Sequence, residues 1–92
     1  MDRMSLEFAK RFVSAGSKRE RLRMLASEPF VSRLAVARGL KDICYSVWTS
    51  NPAAVKKVSD AIALLSVGQT EPEIAAIKYW IDGIAAITRA EL

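Results

Sequence analysis

Apolar residues recur along this chain at helical spacing, and no segment of useful length alternates with the period of two that a half-buried strand requires. Leu6, Phe8, Ala9, Phe12 and Val13 predict a first helix over about residues 3–15 with that stripe inward. A short second helix, about 18–26, is expected to bury Leu22 and Leu25. Phe30, Leu34, Ala37, Leu40, Ile43, Cys44, Val47 and Trp48 predict a third over about 29–49. Val55, Val58, Ile62 and Leu65 predict a fourth over about 52–67, and a fifth is expected from about 70 to 90.

Punctuation between the stripes supports the division. "SEPF" (27–30), "SNPA" (50–53) and "TEPE" (70–73) each place Ser, Asn or Thr before a proline, which is tolerated in a first turn because its missing N–H has no intrahelical partner there. Thr70 is expected to cap the fifth helix with Glu73 as its capping-box partner. "SKRE" (17–20) is a fourth start, with Ser17 as N-cap, Glu20 at the capping-box position, and Gly16 placed to end the first helix in the left-handed conformation.

The fifth helix carries more apolar surface than one core can use. Ile74, Ile77, Ile81 and Ile84 line one face, Ala76, Trp80, Gly83 and Ile87 another, and Lys78, Asp82 and Arg89 leave a narrow polar stripe. A helix apolar over most of its circumference expects neighbours on at least two sides. With the sequence stopping at Leu92, that cover is expected to be a following helix or another molecule. Gly83, costly inside a helix, implies a close neighbouring backbone.

Just over half the residues are hydrophobic, so the 92-residue chain is expected to fold as a single domain. A lone Cys44 rules out an intrachain disulfide and fits a reducing compartment. "MDRMSLEFAKRF" lacks the apolar core of a signal peptide, and no apolar run reaches the roughly 20 residues of a membrane span. These features predict a cytoplasmic protein with no membrane partner. The net charge of +4 is concentrated early, since residues 1–42 hold ten Lys/Arg against five Asp/Glu. Much of it lies in "SKRERLR" (17–23), where Lys18, Arg19, Arg21 and Arg23 are expected to form a solvated face or, alternatively, a site for an anionic partner.

Catalytic chemistry is poorly provided for. The absence of histidine removes the commonest general base and the triads built on it. Cys44 sits mid-helix among apolar residues, where a structural thiol is expected. No glycine-rich phosphate loop or metal-ligand spacing is present, so neither cofactor nor metal is expected. Sequence-specific DNA recognition is not expected either, because the third helix begins with few polar residues to read base edges.

Ala54, Val58 and Ala61 on the fourth helix, with Ala76, Tyr79 and Gly83 in the "YWIDGIA" region of the fifth, resemble divergent tetratricopeptide repeats over about residues 34–92. Residues 1–28, with the basic cluster, fall outside the resemblance, and 29–92 would form the repeat-like hairpins. The resemblance implies an all-α fold of about five helices stacked as antiparallel helix-turn-helix hairpins, and a non-catalytic scaffold or protein–protein interaction module, either by itself or as the N-terminal part of a larger helical-repeat protein. It also implies a concave face from the first helix of each pair. Arg38, Lys41, Asp42 and Tyr45 would contribute to that face from the third helix, and Lys78, Asp82 and Arg89 from the fifth. Trp80, Ile84 and Ile87 would form an apolar docking or homo-oligomer surface for a protein partner or a second copy. The alternative is a self-contained helical bundle, an adaptor whose basic second helix binds an acidic partner or nucleic acid.

The expected outcome for either architecture is a far-ultraviolet circular dichroism spectrum dominated by helix. Substantial strand signal would overturn both.

Overall fold

Helices form where the chain supplies both an apolar stripe and a way to begin. A computed structural model describes residues 3–28 and 31–90, and all regular structure among them is helical: α1 (Arg3–Ser14), α2 (Lys18–Ser27), α3 (Arg33–Val47), α4 (Pro52–Leu65) and α5 (Pro72–Ala90). Ser17 caps α2 as expected, its hydroxyl accepting the Glu20 N–H at 3.1 Å, while the Glu20 carboxylate reaches back to the Gly16 N–H at 2.9 Å. Pro52 opens α4, where the Asn51 carbonyl accepts the Ala54 N–H.

The start of α3 differs from expectation. Residues 29 and 30, and with them Phe30, lie outside the described residues, but Val31 and Ser32 are not helical. The Ser32 hydroxyl accepts the Ala35 N–H at 3.2 Å, so this serine, and not the "SEPF" signal, is the cap. Val31 before the cap and Val36 in the first turn both enter the core, at the spacing of a hydrophobic staple. At α5, Glu73 does not serve as the cap partner of Thr70, since its carboxylate is engaged by Arg38. The Glu71 carbonyl receives the Ile74 and Ala75 N–H groups instead.

Helix α3 packs against α1, α4 and α5. Its Val36, Ala37, Leu40 and Cys44 meet Phe8, Ala9, Phe12 and Val13 of α1, Val55, Val58, Ala61, Ile62 and Leu65 of α4, and Ile74, Ile77, Ile81 and Ala85 of α5 in one core. Each fully buried Leu, Ile or Phe in that set stabilises the fold by about 1.5–3 kcal/mol relative to exposure. The radius of gyration, 12.3 Å, matches the ~12 Å of a fully compact chain of this length. Gly68 is the described residue that needs a left-handed backbone (φ +74°), in the turn from α4 to α5.

Helix α2 departs most from expectation. Leu22 is 48% exposed and Leu25 only partly buried, whereas Arg21, assigned to a solvated basic face, is 8% exposed. Its Nε–H donates to the Phe12 carbonyl at 2.8 Å and its Nη2 to the Val13 carbonyl at 3.0 Å. The physical cause lies at the end of α1. Gly16 does not adopt the left-handed conformation, so it does not close the helix in the usual way. Carbonyls of the last turn that lack intrahelical donors would be buried unsatisfied, and the forked guanidinium takes two of them. Arg21 is thus unavailable to an anionic partner, while Lys18, Arg19 and Arg23 remain exposed.

The cations of this segment therefore separate by role. Replacing Arg21 with Met should cost about 2–3 kcal/mol, because two buried carbonyls lose charged donors. Neutralising Lys18, Arg19 and Arg23 together should change stability by no more than about 0.5 kcal/mol per site. Urea unfolding of the two variants is the measurement, and equal losses would refute the assignment.

Candidate protein-interaction surface

The residues that could engage a partner are brought together chiefly where α3 lies beside α5. Arg38 and Glu73 form a bidentate pair, with the Arg38 Nη2 donating to Glu73 Oε1 at 2.8 Å and its Nε to the other oxygen. Two turns along, the Tyr45 and Trp80 rings stack at 5.7 Å between centroids and 14° between planes. Lys41 lies 5.9 Å from the Trp80 ring centre, within cation–π range. Both contacts join residues 35 apart in sequence. A constant offset means that α3 and α5 run in the same direction with matched rise. Lys41, Tyr45, Glu73, Ala76 and Trp80 line a shallow depression of about 420 Å³ on this seam.

Electrostatics reinforce the seam. The hydrogen bonds from Arg38 hold the Glu73 carboxyl below the usual glutamate range, with the nearby positive charges of Arg38 and Lys41 adding to the shift. Glu73 in turn raises the pKa of Arg38 through the same bonds. Both side chains are about half exposed, so the pair adds little to stability and acts mainly by setting the register of α3 on α5.

The expected concave face is split. Arg38, Lys41 and Tyr45 do sit together with Trp80, and Asp42 is exposed on the same helix. Lys78, Asp82 and Arg89 instead belong to the opposite side of α5, facing α4. Lys78 donates to Asp82 at 2.7 Å, and Asp82 also accepts from the Ser59 hydroxyl of α4 at 3.1 Å. Arg89 borders a separate cavity of about 570 Å³ with Ala53 and Lys56 of α4. Ile84 and Trp80 are both partly buried, each packed against the core by part of its side chain. Ile87 is 49% exposed, as an interaction residue requires.

The outermost strip of α5 adds Ala86 to Ala76, Tyr79 and Gly83, the positions on this helix that carry the repeat resemblance. Ala76, Tyr79, Gly83 and Ala86 are all exposed, Tyr79 by 85%, and the strip carries no charge. Among the described residues the expected close neighbour of Gly83 is not there: a Cβ added at this position would meet none of them within 4 Å. The signal was available in the sequence, since these residues recur at intervals of three, four and three.

Among the described residues, no group of three His, Cys, Asp or Glu is placed to hold a metal, and no helix is long and apolar enough to cross a membrane. Cys44 is fully buried, and burial raises its thiol pKa, which disfavours the nucleophilic thiolate. Compared with protein-family models, curated proteins and solved structures, the chain matches none.

The Arg38–Glu73 pair makes a pH prediction. Because the folded pKa of Glu73 is depressed, its stabilisation is fully present above the ordinary glutamate range and is lost as pH falls toward the depressed value. Urea midpoints of wild type and Glu73→Gln should therefore differ by a small amount at neutral pH, as for a half-exposed pair, and converge under acid. Parallel curves at every pH would show that the pair contributes nothing to the α3–α5 seam.

Proposed function

We propose that the chain is a non-catalytic protein–protein interaction module of tetratricopeptide-like helical hairpins, and that the outer strip of α5 is its principal contact, used to bind a second copy. The observation that carries this reading is the uncharged, exposed series Ala76, Tyr79, Gly83 and Ala86, flanked by Trp80 and Ile87. Supporting the repeat architecture, the 35-residue offset between equivalent contacts of α3 and α5 is close to the repeat length of about 34 residues in tetratricopeptide arrays. In such arrays the first helices of successive hairpins run side by side in the same direction, with the intervening helix, here α4, packed against both.

The case for a second copy rests on self-complementarity. Pair two α5 helices antiparallel about a two-fold axis at the level of Ile81. Tyr79 of each then lies opposite Gly83 of the other, and Ala76 opposite Ala86. The large side chain meets the vacant backbone, and small meets small, which is the alternation that close-packed helices need. With no charge on the strip, a symmetric contact brings no like charges together, and two-fold dimers are the commonest closed assembly. Trp80, with Tyr45 stacked upon it, and Ile87 extend the apolar contact on one flank.

Light scattering tests the reading. Wild type should be dimeric at micromolar concentration, and Tyr79→Glu should be monomeric with unchanged helical content. Gly83→Ala is the sharper variant. It should stabilise the monomer by about 0.5–1 kcal/mol through helix propensity while weakening association, because the new methyl occupies the seat of the partner copy's tyrosine. A wild type that stays monomeric at high concentration would refute self-association.

A further inference from the structure

A second surface, remote from the α5 strip, arises from the way α2 is anchored. Arg21 ties the helix to the end of α1, so the leucines of α2 are left without full cover. Leu22 is 48% exposed, and Val67, just past the end of α4, is 70% exposed. Together with the partly buried Leu25 and Leu64 they line a groove of about 540 Å³ between α2, the end of α4 and the start of α3. Lys18 and Arg33 stand beside this apolar floor. Neither is paired with a carboxylate among the described residues, and no acidic side chain lines the groove. Lys18 also borders the adjoining cavity that holds Asp60, but that carboxylate is engaged by Lys56.

From this juxtaposition we infer that the groove is a docking site for an acidic amphipathic helix of a partner protein. The floor asks for apolar side chains at i and i+4 on one face of the occupant, the spacing of helix-in-groove recognition. The two unpaired cations ask for Asp or Glu on its flanks, and exposed Arg19, on the next strip of α2, adds to the same positive field. A flat anionic bilayer meets the rim at Leu22 and Val67 but does not reach Leu25 and Leu64, which are recessed. Nucleic acid would satisfy the cations and leave the apolar floor uncovered. This inference is independent of the α5 contact, which uses none of these residues.

The test is titration of the isotopically labelled full chain, followed by amide NMR, with defined probes. These are a synthetic helical peptide with leucines at i, i+4 and i+7 among Glu and Ala, its Lys-for-Glu counterpart, a scrambled version lacking the apolar stripe, and phosphatidylglycerol vesicles. The acidic amphipathic peptide should bind about tenfold or more tightly than either control, with shifts concentrated at Leu22, Leu25, Leu64 and Val67. Leu22→Asp should weaken it by about tenfold, as loss of one buried leucine implies, and Lys18→Glu with Arg33→Glu should weaken it in low salt and less in high salt. The charge variants keep the test valid if Leu22→Asp perturbs the fold. Equal binding of the control peptides, no binding of the acidic one, shifts mapping to α5, or binding of vesicles alone would each overturn the inference.

Discussion

The apolar stripe of α3 is the constraint on which the other helices depend. Val36, Ala37, Leu40 and Cys44 are each buried to within 1% of completely, and three helices reach them from different sides. A helix can be surrounded in this way only if its side chains are small enough for close approach on one side and large enough to fill space on another. Ala37 supplies the first, and Leu40 the second. In a chain this short, one central helix that satisfies three neighbours at once is an economical way to build a single core.

That arrangement decides what is left over. With the isoleucine stripe of α5 committed to α3 and α4, its outer strip has nothing from the described residues to cover it. The strip is not polar, as the outer face of a helix in a freestanding bundle would be expected to be. Its residues are small or aromatic, which suits contact with another helix better than contact with water. The polar side chains of α5 are occupied at the edges, Glu73 toward α3 and Lys78 with Asp82 toward α4, so they mark the limits of the exposed strip rather than crossing it.

A different balance holds at the other end of the molecule. There a charged side chain does the work that leucines usually do. By taking the carbonyls of Phe12 and Val13, Arg21 helps fix α2, whose apolar residues Met24 and Leu25 are only partly buried against the core. The consequence is a helix whose leucines border a groove and whose remaining cations are open to solvent. One polar interaction thus sets both the attachment of α2 and the character of the surface beside it.

Local pattern was enough to place the helices, because apolar periodicity and capping act over a few residues. Ser17 with Glu20 and proline at the start of α4 behave as their sequence context dictates. Phe8, Ala9, Phe12 and Val13 of α1 and Val55, Val58, Ile62 and Leu65 of α4 are buried as the stripe predicts, whereas Leu6 is only partly buried and Ser5 and Ala61 join the buried set. The onset of α3 departs from the local signal because two competing caps, Ser27 and Ser32, lie close together, and burial of Val31 and Val36 favours the second. Long-range partnership was not legible. Arg21 reads as one cation in a basic run, and Glu73 as a capping residue, until the tertiary fold brings Phe12 to the first and Arg38 to the second. The split between the two polar edges of α5 was hidden for the same reason: a helical wheel orders residues around an axis but does not say which neighbour stands on each side. The sequence by itself determined that this protein is helical and that its last helix has more apolar surface than its core needs. The tertiary structure alone decided which charges are structural and which apolar residues stay exposed, because both depend on contacts between segments that no local spacing encodes.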